Sequence, residues 1–486
     1  MLQQDSILPL SDHIRLYDML IPKTNLLRQL NELVDFSFVY DELRSKYSES
    51  TGRSAINPIR MFKYLLLKTI YEVSDADVVE RSRYDLSFKY FLGMMPEDDV
   101  IESSSLTKFR KLRLKDMNLL DMLVGKTIEI ALSKGIKFSK TIIVDATHTT
   151  SRSNPQLPLE ILRKRSSALR KSIYAFNEEM KKSFPRKYEG QNLSEEISYT
   201  QKLIEIIKES QYAELPAVSE KLNLLQETCE DIMDHCTTSD DRDARAGHKS
   251  NTRKFSGYES DMARSDNRRI TGVVVTSGEK ADANYLQAVI HKTEDAGIEV
   301  DTVVADAAYS SKGNIEKCAE DEIQLVAKLN PAVYSADDNR DDGFIYNKDA
   351  GTMQCPAGHL AMSSRIGKEK GGINDRLVFN FSKVKCKKCP LKSKCLKTGA
   401  KSKSRSIRIL SETHEDYMKF ENSAFFDEKY KLRYMIEAKN AELKNAYGYS
   451  RALSYGLESM EMQGAMCVFA SNLKRILTLL GIKTTK

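Results

Sequence analysis

Two aspartates follow apolar runs that predict buried strands. Asp145 comes directly after Thr-Ile-Ile-Val, and Asp306 comes after Asp-Thr-Val-Val-Ala. Because β-branched residues favour strands that are buried on both faces, we expect each Asp at the end of a strand in a sheet. Proteins of the α/β class place binding sites at such strand ends. Each aspartate taken alone is a weak indication, because an Asp after a strand more often forms a turn or caps a helix.

A third carboxylate, Glu437, lies in a helix predicted over residues 425–446, together with Tyr430, Arg433 and Lys444. At about 100° per residue these four side chains fall within a stripe roughly 60° wide. A solvated helix face with an ion pair between Arg433 and Glu437 is the simpler explanation of two of them. It does not explain why the tyrosine and the lysine share the same stripe.

The chemistry of phosphodiester bonds gives this mixture of groups a use. Two divalent cations about 4 Å apart can activate a water or a 3′ hydroxyl and stabilise the leaving oxygen. Mg²⁺ prefers carboxylate oxygens, and three carboxylates can hold two such ions. Arginine and lysine side chains nearby would bind the phosphates of the substrate.

The combination resembles a large group of insertion-sequence transposases whose catalytic triad is Asp, Asp and Glu (DDE). The Tyr-x2-Arg-x3-Glu-x6-Lys spacing matches the signature of that group at all four positions. Asp145, in Val-Asp-Ala-Thr-His, resembles the first Asp of the group, and Asp306, in Ala-Asp-Ala-Ala-Tyr, resembles the second. The order of the three carboxylates along the chain also agrees.

The resemblance covers most of the chain, with two departures. Residues 52–58 and the helices after them resemble the N-terminal DNA-binding region of the group, and residues 241–258 resemble the segment that leads into its second strand. The second Asp motif often reads Asp-x-Gly-Tyr, whereas this chain has Ala308 before Tyr309. The chain also has no Trp, so an aromatic partner for a base flipped during a hairpin step would have to be Tyr or Phe.

The resemblance implies an α/β fold with a ribonuclease-H-like (retroviral-integrase-like) mixed-sheet catalytic core. It implies an enzyme that binds terminal inverted repeats, cleaves the DNA ends by metal-dependent hydrolysis and transfers the 3′ ends to target DNA. Two Mg²⁺ or Mn²⁺ ions would be held by Asp145, Asp306 and Glu437, and double-stranded DNA would contact Tyr309, Tyr430, Arg433 and Lys444. Because two DNA ends must be held together, we expect a homodimer or a larger assembly on DNA.

Residues 1–135 predict a separate, mostly helical DNA-binding domain. Asn57-Pro58 is a strong helix start, because Asn accepts hydrogen bonds from the first N–H groups and Pro suits the first helical position. Ser74 and Asp77 have the spacing of a capping box. After the serines at 103–105, the apolar spacing predicts that Leu106, Phe109 and Leu112 point inward while Lys108, Arg110, Lys111 and Arg113 point outward.

This basic stretch has two interpretations. It is typical of the last helix of a helix-turn-helix, with Arg110, Lys111 and Arg113 on DNA. An ordinary amphipathic helix with a solvated basic face explains the same pattern.

Residues 136–486 predict the catalytic domain, interrupted by two insertions. Long amphipathic segments indicate a helical insertion at 155–240, built of antiparallel helices. A second insertion at 331–415 reads as irregular, basic and rich in cysteine. Its residues 383–408 contain eleven Lys or Arg and no Asp or Glu, which suits either a solvated loop or contact with DNA.

Half of the eight cysteines lie in the second insertion. Cys386-x2-Cys389 is a good chelating pair, and Cys355 and Cys395 would complete a tetrahedral zinc site, with His359 as a competing ligand. The alternative is a set of thiols in a loose loop. His148, three residues after Asp145, is a further polar candidate that could approach the catalytic metals or remain a surface histidine.

The bulk composition limits the class of protein. The chain has 486 residues, 41% hydrophobic and 30% charged, and a net charge of +6, which suits a soluble protein of more than one domain with a mild preference for polyanions. No apolar run is long enough for a bilayer, and the N-terminus does not resemble a signal peptide, so we expect a cytoplasmic, nucleoid-associated protein without a membrane partner. Two rival functions stay open: a catalytically inactive transposase-derived DNA-binding regulator, and a ribonuclease-H-like nuclease that cuts without joining.

Overall fold

The structure is a computed structural model. It describes residues 14–48, 55–152, 157–233, 241–250, 253–330, 343–347, 350–368, 375–396, 399–408 and 412–485. The chain forms two compact units: the first comprises residues 1–300 and 434–486, and the second comprises residues 301–433. Residues 52–54, the start of the N-terminal motif named above, lie outside the described residues.

The first unit begins with helices, as predicted. They are α1 (Ile14–Leu20), α2 (Leu26–Leu33), α3 (Ser37–Leu43), α4 (Pro58–Tyr71), α5 (Asp75–Tyr84), α6 (Leu86–Phe91), α7 (Ser103–Phe109) and α8 (Leu119–Ser133). Both predicted helix starts are confirmed: the Asn57 side chain accepts from the N–H of Ile59, and Ser74 and Asp77 form a capping box. These local hydrogen bonds depend only on neighbouring residues, which is why the sequence reveals them.

The basic segment after α7 differs from the prediction. Leu106 and Phe109 are buried as expected, but Leu112 is 64% exposed and Leu114 is buried at 2%. The chain leaves the α-helix at Phe109 and forms one π-helical turn over Arg110–Leu114. A π turn holds more residues than an α turn, so it rotates the apolar face and brings Leu114 rather than Leu112 into the core.

An antiparallel sheet forms the centre of the first unit. Its strands are β1 (Thr141–Thr150), β2 (Arg245–Ser250), β3 (Arg253–Ser265) and β4 (Ile270–Ser277), and β3 pairs with each of the others. The prediction that the first strand ends at Asp145 was wrong. Pairing with β3 continues from Ile142 to Thr150, so Asp145 lies in the middle of β1.

Helices on both sides of the sheet complete this unit. They include α12 (Leu286–Asp295), α18 (Tyr434–Ala446) and α19 (Leu457–Leu479). The N-terminal helices share one hydrophobic core with the sheet and α19. The rings of Phe62 and Phe469, for example, lie 5.9 Å apart.

The helices predicted in the first insertion are present as α9 (Pro158–Tyr174), α10 (Leu193–Lys208) and α11 (Pro216–Met233). They enclose a core of their own, which includes Leu162, Leu203 and Leu225. The first of them stops at Tyr174, and a 3₁₀ segment follows at Glu178–Lys182.

The second unit contains short strands and helices. They are β5 (Thr302–Val304), α13 (Lys312–Glu320), β6 (Gln324–Val326), β7 (Ile345–Asn347), β8 (Thr352–Gln354), β9 (Ser363–Lys368), β10 (Asp375–Asn380), α14 (Lys383–Lys388), α15 (Lys392–Cys395), β11 (Ser404–Arg408), α16 (Glu412–Glu421) and α17 (Ala424–Tyr430). Strands β5 and β6 are parallel, β7 and β8 form a hairpin, and β9, β10 and β11 form an antiparallel sheet. The cysteine-bearing insertion is therefore more regular than predicted, and the whole chain is a mixed α/β protein.

The helix predicted over residues 425–446 is not continuous. Helix α17 ends at Tyr430, a 3₁₀ segment occupies Lys431–Arg433, and α18 starts at Tyr434. The single stripe predicted for Tyr430, Arg433, Glu437 and Lys444 therefore holds only for Glu437 and Lys444, the two residues that lie on α18. Over the described residues, none of the helices has the length and apolarity needed to cross a membrane.

Candidate catalytic site

Asp145 lies on the face of the sheet that α18 covers. Its carboxylate accepts a hydrogen bond from the side-chain amide of Asn440, with 3.0 Å between the two atoms. The segment after α18 continues along the same face: the Thr149 hydroxyl donates to the Tyr449 carbonyl, and the Ser260 and Tyr449 hydroxyls are 2.8 Å apart. Contacts from the middle of α18 and from the segment after it therefore hold α18 over the strand that carries Asp145.

Glu437 lies on the same side of α18 as Asn440. Residues three apart on a helix are neighbours on one face, so Glu437 is one turn closer to the N-terminus of α18 than the contact with Asp145. Glu437 is exposed and Lys444 is half-buried on the same stripe. The structure thus brings two of the three predicted carboxylates, Asp145 and Glu437, to one region of the first unit.

Asn440 was missed by the sequence reasoning. Its position on the Glu437 stripe was a signal that could have identified it, because a residue three positions from a proposed metal ligand is well placed to orient the partner ligand. Asn440 is nearly buried, and its side-chain oxygen has no hydrogen-bond partner among the described residues. Its amide nitrogen is the group that faces Asp145.

His148 lies on the opposite face of β1 from Asp145. Side chains alternate along a strand, so residues three apart point to opposite sides. His148 Nδ1 is 2.8 Å from Glu259 Oε1, and its ring centre is 4.4 Å from that of Phe255. The idea that His148 approaches the site of Asp145 is therefore wrong.

Asp306, in the second unit, follows β5 and caps a 3₁₀ turn at Ala307–Tyr309. Its Oδ1 accepts from the N–H of Ala308 at 2.8 Å. Its Oδ2 is 3.9 Å from Arg433 Nη2. One oxygen thus has the capping role that the simpler interpretation assigns to such an Asp, while the other faces a guanidinium that was predicted to bind phosphate.

The two tyrosines proposed for DNA contact have different surroundings. Tyr309 is fully buried. Tyr430 is half-buried, stacks on Phe426 with 5.5 Å between the ring centres, and has the Lys328 ammonium 5.2 Å from its ring. Of the two, only Tyr430 is open to solvent.

The basic residues of the N-terminal segment are mostly engaged within the protein. Arg110 pairs with Asp75, and Arg113 lies over the ring of Tyr47 at 4.2 Å. Burial works against ionisation of Asp75, but hydrogen bonds from Arg110 and Lys68 hold the pKa of its carboxyl below the usual value. Lys111 is exposed.

The four cysteines of the second insertion come together. Cys355, Cys386, Cys389 and Cys395 line one surface cavity, with His359 and three lysines on its wall. Burial raises the pKa of the Cys395 thiol; the neighbouring thiols add to this effect and Lys403 opposes it. Within the described ranges, no group of three or more His, Cys, Asp or Glu side chains is arranged to hold a metal ion as it stands.

Comparison with protein families identifies two regions of the chain. Residues 15–112 match the model of a transposase domain (DUF772), and residues 354–477 match the model of a transposase DDE domain. The two matches support a DDE-type transposase. No curated protein matches the chain.

These matches indicate an insertion-sequence transposase, an enzyme of the nuclease and transposase kind that acts on DNA. Transposases of the DDE type generally use divalent metal ions. The DDE match includes Glu437 and the four clustered cysteines, and the mixed α/β fold is consistent with it.

Proposed function

We propose that the chain is a DDE transposase of the Tyr-Arg-Glu-Lys group with a ribonuclease-H-like core. It binds the terminal inverted repeats of an insertion sequence, cleaves the DNA ends and transfers the 3′ ends to target DNA. The observation that carries the proposal is the hydrogen bond from Asn440 to Asp145, because it holds the helix of Glu437 against the strand of the first aspartate. The two transposase matches agree with it.

Asp145, Asp306 and Glu437 would hold two Mg²⁺ or Mn²⁺ ions. The donor set fits, because these hard cations prefer carboxylate oxygens. When bound, the ions would activate a water or a 3′ hydroxyl and stabilise the leaving oxygen. The protein contributes by positioning: Asn440 orients the Asp145 carboxylate, and an orienting partner of this kind strengthens the binding of a metal by its ligand.

The remaining residues would bind DNA. Arg433 and Lys444 would contact phosphates, and Tyr430 would contact the strand beside them. Residues 1–135, with Arg110, Lys111 and Arg113, would recognise the repeats, and residues 136–486 would carry out the chemistry. The transposase would work in the cytoplasm at the nucleoid, as a homodimer or a larger assembly on DNA.

A structural zinc ion is the second metal that we propose. Cys355, Cys386, Cys389 and Cys395 form a donor set typical of structural zinc, and they already line one cavity. A zinc ion there would organise the basic insertion and keep its lysines oriented.

The test is a cleavage and strand-transfer assay on labelled DNA that carries the terminal repeats, with Mg²⁺. Wild type is compared with Glu437→Gln and with a matched control, Glu428→Gln, which removes an exposed carboxylate from α17. We expect Glu437→Gln to cut and join DNA at least about 10²-fold more slowly than wild type. The substitution removes a carboxylate that would hold a metal ion, and that ion would stabilise the transition state. The control should cut and join like wild type.

Each of the other outcomes would point to a different function or a different site. Repeat binding without cutting in any variant would overturn the enzyme and favour the regulator. Cut DNA without joined product would favour a nuclease. Cutting that survives in Glu437→Gln would mean that Glu437 is not catalytic.

A further inference from the structure

The turn between β3 and β4 gathers basic side chains that form no ion pairs within the described residues. Arg264 and Arg269 flank the turn, and Arg268 lies within it. Arg475 reaches the turn from α19, where its Nε donates to the carbonyl of Asn267 at 2.8 Å. Over the part of the chain that the structure describes, none of these four arginines forms an ion pair.

Two of the arginines are buried. Arg264 is 0% exposed and donates to the Met435 carbonyl, and Arg269 is 1% exposed and donates to the side-chain oxygen of Asn267 at 2.9 Å. One terminal nitrogen of each has no hydrogen-bond partner in the described chain. The Arg269 guanidinium lies over the ring of Phe138, with 3.6 Å from its central carbon to the ring centre, and this contact offsets part of its charge. Burying a guanidinium without a carboxylate is costly, so Arg264, which has only carbonyl partners, places positive charge inside the fold.

Electrostatics within the cluster are repulsive. Burial lowers the pKa of Arg264 to about 10, and the charge of Arg268 adds to the effect. Burial likewise lowers the pKa of Lys439 to about 8, with Arg264 and Arg475 contributing. The acidic groups facing the cluster are Asp266 in the turn and Glu442, which accepts a hydrogen bond from Lys439 at 3.2 Å.

Exposed cations surround the buried ones. Arg268 is exposed and has a φ of 66°, a left-handed conformation that costs a non-glycine residue about 1 kcal/mol. Lys137 is exposed, and its carbonyl accepts from the Asn267 side chain at 3.1 Å. Charge buried beneath exposed cations strengthens the positive potential at the surface above it.

The cluster adjoins the candidate catalytic face. Arg264 is paired across the strands with Ile143, two residues before Asp145. The carbonyl that it binds belongs to Met435, two residues before Glu437 on α18. An anionic polymer that passes this turn would therefore lie next to the two carboxylates of the first unit.

We propose that Lys137, Arg268 and Arg475 form a binding site for the phosphodiester backbone of duplex DNA beside the Asp145–Glu437 face. The inference rests on the proposed transposase function and adds a contact surface to it. Guanidinium and ammonium groups suit this partner, because they bind phosphate oxygens with charge-assisted hydrogen bonds. The repeating phosphates also supply negative charge, since the cations of the cluster outnumber the two carboxylates, Asp266 and Glu442, that face them.

The test measures the salt dependence of binding to a labelled duplex by fluorescence anisotropy. The variant is Arg268→Asn with Arg475→Gln, since Asn adopts the left-handed backbone of position 268 without added strain. The control is Lys202→Gln with Lys208→Gln, which removes two exposed charges from α10. We expect the slope of log Kd against log salt to fall by about 2 in the variant, with affinity weaker by about tenfold at moderate salt.

A second variant guards against misfolding. Lys137→Gln changes only an exposed side chain and should lower the slope by about 1. If wild type binds the duplex and both variants bind with the slope of the control, this inference is overturned and the proposed function stands. If wild type does not bind duplex DNA at all, the proposed function itself fails.

Discussion

The two insertions in this chain differ in what holds them together. Helices α9, α10 and α11 enclose a core of their own, in which Leu203 and Leu225 are fully buried. In the cysteine-bearing insertion, the described residues bury only Met353, Phe379 and Phe381 in a common cluster. A core this small rarely stabilises a fold, and natural proteins of that kind add a metal or disulfides. We therefore predict that core packing stabilises the helical insertion and that a bound metal stabilises the cysteine-bearing insertion.

Metal removal should produce the largest difference between them. We expect purified protein to carry about one zinc per chain, and Cys386→Ser to lose it, because structural zinc sites need all their ligands. A zinc chelator should then open residues 383–408 to trypsin, which cleaves after their many lysines, and leave α9–α11 intact. Metal analysis and limited proteolysis provide the measurements.

The matched control for that experiment is Cys229→Ala, which changes a buried cysteine of the helical insertion. It should retain zinc and the wild-type pattern of cleavage. If wild-type protein contains no zinc, and trypsin cuts it equally with and without chelator, the predicted role of a metal in the cysteine-bearing insertion is wrong.

Truncation of a core side chain should give the next largest effect. Leu203→Ala should destabilise the helical insertion by about 2–5 kcal/mol, because it removes a fully buried side chain and leaves a cavity. Ile366→Ala, in β9, should change the stability of the other insertion by less than about 0.5 kcal/mol, because Ile366 is 67% exposed. Hydrogen exchange of each insertion within the full chain measures both; equal effects would contradict the prediction.

Helix caps should give the smallest effect. Asn192 accepts from the N–H of Ser194 at 3.0 Å and caps α10, a helix of 16 residues. Ser382 accepts from the N–H of Lys385 at 3.4 Å and caps α14, which has 6 residues and buries none of them. We expect Asn192→Ala to cost about 1 kcal/mol and Ser382→Ala clearly less, because the second bond is long.

The same hydrogen-exchange experiment separates the two caps. Exchange of the first amides of α10 should accelerate in Asn192→Ala, whereas those of α14 should change little in Ser382→Ala. A larger response at α14 would mean that its insertion is more tightly ordered than its buried residues indicate.

Local features were predictable and long-range ones were not. The helix starts at Asn57 and Ser74 were predicted because their hydrogen bonds join residues two or three positions apart. The length of β1 was not, because it depends on pairing with β3, more than a hundred residues later. The break before α18 also escaped prediction, since residues 425–446 have good helical spacing throughout.

The two candidate aspartates illustrate the same limit. Asp145 and Asp306 have nearly the same sequence context, yet one lies in mid-strand beneath Asn440 and the other caps a turn beside Arg433. The shared pattern of an apolar run before Asp predicts a strand in both places. It contains no information about the side chains that come to the aspartate from elsewhere.

The sequence by itself determined the chemical types of the candidate ligands, their order, most helices and the resemblance to a transposase. Only the tertiary structure decided that Asp145 faces α18 while His148 faces away, that Asn440 reaches Asp145, and that Arg264 is buried beside them. The physical reason is distance along the chain. Asn440 and Asp145 are 295 residues apart, and a hydrogen bond between such residues exists only after the sheet and its covering helix have packed together.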